Sequence, residues 1–545
     1  MASNGALADN ELERYVDGKL EVEQVQPNTQ RGGSITERNL SVATDGGRKY
    51  STGGQRRMSQ WEAMVIAKEG GVEIDEEIEL LEIELRENPI PKSFFSPVIN
   101  FKNPAHFTWL LVGFASMGGL LSGIDQSLIS GANLYMPASL HLDTSQVSLV
   151  ASGVPLGAIG GALLLGPTNE AVGRRMAIII SLVLYTVGAA LEAGAISFGM
   201  IVAGRVILGL GVGLEGGTES PRFLMHKGRT LEAFNVWKRI RGTELQENRE
   251  EFFVMKQTLL EEVNSTASRS GSFAWLDFFT VPRARRSIIY ANIMIFLGQF
   301  TGINAIMYYM ATLMSQVGFD SKQSVFMSLV GGASLLLGTI PAIFYMERFG
   351  RRFWACAMLP GFFIGLLIIG CSYLIDSKTN VGGAEGCYIT GLILYEGFFG
   401  SYACLTWVLP AEVYPTYLRS YGMETSDVTL FFCSWLVTYF FSDMEAAMSR
   451  IGLTLGFYGG IAVVGWFYQL LFMPETKNKT LEEIDILFSQ PTSELVKQNL
   501  KGVAENLSDL AHGRWGRVFR PSPESELPEA HRDSVVGPMS NKVQG

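Results

Sequence analysis

Apolar windows of about 20 residues recur along the chain from Trp109 to Met473, separated by short polar breaks. Each is long enough to cross a hydrocarbon core of roughly 30 Å as a helix. The windows fall at about 106–130, 146–166, 176–197 and 199–217, and then at about 288–314, 324–346, 353–375, 387–410, 422–441 and 453–473. The pattern predicts an all-α polytopic membrane protein with ten spans in a four-plus-six arrangement. Five segments follow: a largely disordered tail (1–103), a four-span bundle (104–218), a polar middle loop with short helices (219–287), a six-span bundle (288–474) and a second tail (475–545). In the first tail only residues 61–87 carry helix-like patterning, and the acidic run 73–87 is expected to lie solvated.

Composition narrows the function classes. At 47% hydrophobic and 18% charged residues, the apolar excess over a soluble chain is accounted for by the spans. A soluble enzyme, a disordered protein and a secreted disulfide scaffold are excluded. A net charge of -10 without a basic tract argues against nucleic-acid binding. The five cysteines all follow residue 350 and lack the spacing of a zinc site, so they read as small buried hydrophobes; Cys371 and Cys387 flank one loop and leave a single disulfide as the alternative. No cofactor, no metal and no obligate protein partner is implied. The first 100 residues show no signal peptide, so the first span serves as the membrane address.

Basic residues near span ends stay on the cytoplasmic side. Arg174-Arg175, the loop 222–286, Arg351-Arg352, Arg419 and Lys477 to Lys479 fall on one face, whereas Lys322, Lys378 and Arg450 are alone on the other. Both termini and the middle loop are therefore expected to be cytoplasmic. An internal repeat supports duplication: Glu170-Ala-Val-Gly173-Arg174-Arg175 recurs as Glu347-Arg-Phe-Gly350-Arg351-Arg352, each after the second span of its half. Four spans fit between the second copy and Pro474, but only two between the first copy and Glu219. The first half is short by two helices.

Charges inside the spans are the candidate chemistry, since a lone charge there costs several kcal/mol at least. Asp125 lies in the first window and Arg205 in the fourth, natural partners for each other. Asp125 is then either a proton acceptor whose proton affinity follows the approach of Arg205, or half of a static ion pair that fixes helix register. Glu192, Glu215, Glu396 and Asp427 have no obvious basic partner; Glu215 and Asp427 are expected to be hydrated near an interface. Glu396 reads as a second proton site or as a protonated carboxyl bonded to a hydroxyl. The stretch Gln299-Phe-Thr-Gly302-Ile-Asn304-Ala-Ile-Met-Tyr308-Tyr309 combines amides, which pair with neutral hydroxyls, and aromatic faces, which suit sugar C–H surfaces. Polar glue between helices is the alternative. Glu412 and Arg419, with Glu170, Arg174, Glu347 and Arg351 of the repeated loops, are expected to form a cytoplasmic latch of ion pairs between the halves.

On these residues the chain resembles the sugar porter family of the major facilitator superfamily, and most nearly its fungal hexose and myo-inositol transporters. The match runs over about residues 105–487: 118–132, Gly173-Arg-Arg, Gly204-Arg205, Glu219-Ser-Pro221-Arg222, 299–309, Gly350-Arg-Arg, Pro410-Ala-Glu412 to Arg419, and Pro474-Glu-Thr to Asp485. The resemblance implies twelve helices in two bundles, alternating access, and facilitated or proton-coupled uptake of a monosaccharide or polyol across a membrane, with the plasma membrane expected. It implies sugar contacts at Gln299, Asn304, Tyr308 and Trp407, and proton coupling at Asp125 and Arg205. The chain departs from the family at Gly298, where a second Gln is expected, at Ser334 in place of Asn, and at Ser122 in place of an aromatic residue. Between Thr218 and Glu219 the family has two further helices, so about ten spans remain. A secondary transporter is thus expected, with a non-transporting nutrient sensor or an inactive splice or gene-model variant as the alternative.

Overall fold

The computed structural model describes residues 71–87, 104–214, 224–225, 228–267, 274–376, 380–415, 418–477, 479, 484 and 487–512. The described residues are helical with short connections. In chain order the helices are α1 (Gly71–Glu87), α2 (Pro104–Ala132), α3 (Met136–Leu140), α4 (Thr144–Ala151), α5 (Gly153–Val172), α6 (Arg174–Ala193), α7 (Phe198–Gly213), α8 (Thr230–Ile240) and α9 (Gln246–Ala267). The second half continues with α10 (Asp277–Thr280), α11 (Pro282–Gln299), α12 (Ile303–Val317), α13 (Ser321–Phe349), α14 (Arg351–Ser372), α15 (Val381–Val413), α16 (Arg419–Tyr439), α17 (Phe441–Met448), a π-helical turn (Gly452–Tyr458), α18 (Gly459–Phe472) and α19 (Thr492–Ala511). Each of the ten sequence windows is helical over nearly all of its described residues. Seven spans among the described residues are long and apolar enough to cross a membrane, and α7 is a shorter apolar helix. The fold is all-α and polytopic, with an incomplete N-terminal bundle.

The chain divides into two units. The smaller takes residues 1–112 and 219–270. Its core joins Ile74 and Ile78 of α1 to Phe234 and Trp237 of α8 and Phe252 and Met255 of α9. Ile74, Ile78 and Leu81 recur at helical spacing and so form one apolar stripe on α1. Around it, Asp75 accepts from Arg249 at 2.8 Å, Glu77 pairs with Lys256, and Glu82 accepts from Lys238 and Thr243. The acidic run expected to lie solvated is therefore, in part, the charged border of a packed helix.

The larger unit holds the spans. In its N-terminal part glycines set the packing, as membrane helices without a hydrophobic drive between them require. A Cβ on Gly157 would fall 2.1 Å from the Val206 carbonyl oxygen, and one on Gly209 would fall 2.2 Å from that of Val154, so α5 and α7 touch backbone to backbone. In the C-terminal part α14 packs on α15 and α18, and α15 also on α13. The two parts meet where α5 packs on α16. At the end of α18, Asn499 of α19 donates to the carbonyls of Leu471 and Met473 at 2.7 and 3.1 Å, capping groups that the helix leaves unpaired.

Candidate substrate and proton site

Residues 299–302 break what would otherwise be one helix. Gly302 has φ 92°, a left-handed conformation that favours glycine, and a Cβ there would meet the Tyr458 ring at 2.5 Å. The break turns Gln299, the last residue of α11, towards Asn304 near the start of α12, and the Asn304 amide donates to the Gln299 side-chain oxygen. The expected amide pair is thus brought together, with Gln299 6% exposed. Tyr308 is buried one turn further on, and its backbone oxygen accepts from Asn133 at 3.1 Å. Trp407, by contrast, is 48% exposed and is joined to the amide pair by no hydrogen bond or ring contact among the described residues. Ser334 spends its hydroxyl on the Val330 carbonyl of its own helix, at 2.7 Å.

Arg205 is fully buried on α7, its Cβ seated against Gly153 of α5. Its Nη1 donates to Asp125 at 2.9 Å and to Glu192 at 3.5 Å, while Nε donates to the Val150 carbonyl at 3.1 Å. The expected Asp125–Arg205 pair is present, and Glu192, read from sequence as an acid without a partner, joins it. Two carboxylates around one guanidinium carry one negative charge in excess, so a single proton brings the cluster to neutrality. Sequence reasoning singled out Glu192 but missed its partner. The signal for Glu192 was its position in the third window, where any acid needs a cation.

The remaining expectations fare differently. Arg351 makes a two-pronged pair with Glu347 at 2.9 and 3.1 Å and reaches Glu412 at 2.9 Å, while Glu412 also accepts from Thr476 at 2.7 Å. All of these belong to the C-terminal bundle, so this part of the expected cluster joins residues of one bundle. Arg419 opens α16; the side chains of Glu170 and Arg174 lie outside the described residues, as does Glu215. Glu396 is fully buried and neither carboxyl oxygen has a partner, so the expected bond to a neighbouring hydroxyl is absent among the described residues. Asp427 is half-buried, and one of its carboxyl oxygens is buried without a partner among the described residues. All five thiols are free; Cys433 is buried but Cys371 is exposed, against the reading of uniformly buried cysteines.

The sequence profile of the family described as "Sugar (and other) transporter" matches residues 111–218 and 217–488. The chain belongs to the sugar porter family of the major facilitator superfamily. Among its relatives, this sugar porter is 56% identical to the myo-inositol transporter FST1 of Gibberella moniliformis, over 85% of this chain and 92% of the relative. It is 26% identical to the arabinose-proton symporter of Escherichia coli, over 68% of this chain and 91% of that one. The solved structure of the proton:xylose symporter XylE bound to 6-bromo-6-deoxy-D-glucose superposes with a TM-score of 0.59 at 21% identity, covering 71% of this chain and all of that one, a likeness of fold. The two profile matches meet at Thr218–Glu219, where the sequence pattern places the loss of two helices. The FST1 alignment occupies 532 positions but only 85% of these 545 residues, roughly 463, so about 70 positions lack a counterpart in this sugar porter.

Proposed function

We propose that this protein carries a neutral monosaccharide or polyol, of the myo-inositol class, across a membrane by alternating access, with a proton taken up at Asp125. One observation carries the reading: α12, which carries Asn304, is tied to the end of α2, the helix that carries Asp125, by the Asn133 amide donating to the Tyr308 carbonyl at 3.1 Å and by the Ala311 N–H donating to the Ser130 hydroxyl at 3.0 Å, so the amide pair and the buried ion cluster share one chain of contacts. Hydroxyls of the substrate are held by the amides of Gln299 and Asn304, which give both donors and acceptors without charge. Protonation of Asp125 removes the charge that holds Arg205 Nη1, and the guanidinium keeps Glu192 as its partner. Helix α2, which carries Asp125 and Gln126, is then freed from α7 while α7 stays paired with α6. A substrate that moves Tyr308 therefore acts on the proton site, and the reverse holds by linkage.

The membrane is expected to be the plasma membrane, with both termini cytoplasmic, and Arg351, Glu347 and Glu412 at the cytoplasmic end. The test is uptake in cells lacking other polyol carriers, by the form extended by about 70 residues after Thr218 and by the 545-residue chain beside it. Asp125→Asn is expected to abolish accumulation against a gradient and to flatten the pH dependence, since an amide cannot titrate; undiminished concentrative uptake would show the pair to be structural. The non-transporting reading is favoured by one feature, the four-helix N-terminal part.

A further inference from the structure

Two free cysteines meet in register where α14 ends and α15 begins, at the end of α14 opposite Arg351. The two helices run antiparallel and touch backbone to backbone. A Cβ on Gly365 would fall 2.7 Å from the Tyr395 nitrogen, and one on Gly391 would fall 2.7 Å from the Ile369 nitrogen. Four residues back along α15 answer four forward along α14, so the next step sets Cys387 opposite Tyr373, two positions from Cys371. The Cys387 thiol donates to the Ile368 carbonyl at 3.4 Å. Ile368 stands three residues before Cys371, the spacing at which Ser372 of the same helix donates to the Ile369 carbonyl at 2.6 Å. One carbonyl oxygen is therefore within side-chain reach of both thiols.

Position and exposure divide the labour between the two. Cys371 is the second-last residue of α14 and is exposed, so a reagent from the aqueous side meets it first. Cys387 is half-buried in the second turn of α15, a helix of 33 residues. At helical rise that is about 50 Å, longer than the roughly 30 Å of a hydrocarbon core, so the first turns of α15 stand at the membrane surface beside the end of α14. The other three thiols differ. Cys356, Cys404 and Cys433 lie inside α14, α15 and α16; Cys404 donates to the Gly400 carbonyl of its own helix at 3.7 Å, and Cys433 is buried.

We infer that Cys371 and Cys387 form a thiol–disulfide exchange site for small-molecule disulfides of the glutathione class. The Cys371 thiolate attacks one sulfur of the small disulfide, whose S–S bond breaks and releases one thiolate. The Cys387 thiolate then attacks Cys371 Sγ, breaking the mixed disulfide and releasing the second. Two protein thiols are oxidised, one small disulfide is reduced, and the two protons of the protein thiols end on the two released thiols. The new bond staples the end of α14 to the start of α15. The inference rests on the proposed function only for its side of the membrane: with Arg351 cytoplasmic, the pair meets the outer, oxidising side, where disulfides persist.

The test uses purified 545-residue protein in lipid nanodiscs, equilibrated with glutathione and glutathione disulfide at several ratios, then unfolded and alkylated so that peptide mass spectrometry locates each thiol. Cys371 and Cys387 are expected to be lost together and a peptide pair joined through them to appear, while Cys356, Cys404 and Cys433 stay alkylated. Cys387→Ser keeps a donor for the Ile368 carbonyl, so it is expected to fold and to stop the reaction at a glutathione adduct on Cys371. Cys371→Ser, at an exposed position, is expected to slow loss of the Cys387 thiol about tenfold or more. A lasting adduct on Cys371 of the unmutated chain with Cys387 still free, equal loss of Cys387 in Cys371→Ser, or no loss of either thiol would each overturn the site. The side is read separately: in intact cells an impermeant thiol reagent is expected to label Cys371 after mild reduction. Labelling only in permeabilised cells would overturn the proposed orientation and not the exchange chemistry.

Discussion

Gly302 shows how one residue sets the geometry of the candidate site. Any side chain there would need both a left-handed backbone and room that the Tyr458 ring occupies, so Gly302→Ala is expected to reseat α12 and separate Asn304 from Gln299. Loss of polyol binding with the protein still in the membrane, read by equilibrium binding, checks this. Asn304→Ala keeps the backbone and removes only hydrogen bonds, so it is expected to weaken binding by about 1–3 kcal/mol and to leave expression unchanged; unchanged apparent affinity in both Asn304→Ala and Gln299→Ala would remove these amides from the site. Glu396 poses the opposite case. An ionised carboxylate with no partner in a fully buried position is costly, whereas an amide of the same shape carries no charge. Glu396→Gln is therefore expected to lose no thermal stability, and a marked fall in melting temperature would show that the carboxyl makes a stabilising interaction that the amide cannot replace. The amide pair was legible because the turn residue, the two amides and the aromatic pair stand within eleven positions. The role of Glu192 was not, because its partner is 13 residues away on another helix and already had a nearer carboxylate.

At the scale of elements, the ten spans were legible because a run of about 20 apolar residues would leave a soluble chain with more hydrophobic surface than it can cover, whereas a bilayer accepts it. The docking of α1 was not, although its apolar stripe was present in the sequence: the acidic residues between Ile74, Ile78 and Leu81 dominate any composition window. Only the structure shows that Lys238, Arg249 and Lys256 meet them. The charge pattern leads to a swap test. Glu77→Lys or Lys256→Glu alone is expected to loosen α1 from α8 and α9 and to raise its protease sensitivity, and the double exchange is expected to restore protection. The unit also carries a pH dependence. The Glu82 carboxyl is held below its ordinary range, first by the hydrogen bond from Lys238, against a smaller opposing effect of burial, with Thr243 adding to the lowering. A lowered folded value means that its contribution is fully present above the ordinary glutamate range and is lost as pH falls through the lowered value. Protection of α1 is expected to weaken on that acid limb, and less so in Glu82→Gln, as limited proteolysis across acidic pH would show. Of the expected latch, the described side chains give the part within the C-terminal bundle, where Arg351 pairs with Glu412, a pairing that the sign of the charges alone could not assign to one bundle.

Across the whole molecule, the repeat makes the missing helices a structural statement. In the first half the second span, α4 with α5, packs on the fifth span of the other half, α16. The glycine contact is close enough that a Cβ on Gly166 would lie 2.8 Å from the Glu424 carboxylate. The duplicated Glu-x-x-Gly-Arg-Arg loops relate the halves, so the symmetric contact would place a fifth span of the first half on the second span of the other, α13. Among the described residues no such span follows α7 before the middle loop. The consequence is visible: 61% of the Thr144–Asn169 window is buried, against 17% for α13, where Phe326, Leu336 and Phe344 are 71%, 68% and 71% exposed. About 70 positions of the FST1 alignment have no counterpart here, enough for two crossings of about 20 residues with their connections. One of the two inter-bundle contacts that the repeat implies is thus absent among the described residues, and α13 presents an exposed apolar face. The 545-residue chain is expected to insert into the membrane but to move polyol poorly, and insertion of about 70 residues after Thr218, taken from the matching segment of FST1, is expected to confer saturable uptake. The two forms are to be expressed side by side and matched for surface amount. A cysteine at Leu336 (Leu336→Cys) should react with a lipid-soluble thiol reagent in the short form and be shielded in the restored one. Robust uptake by the short form, or equal labelling of Leu336→Cys in both, would show that α13 needs no partner from the first half.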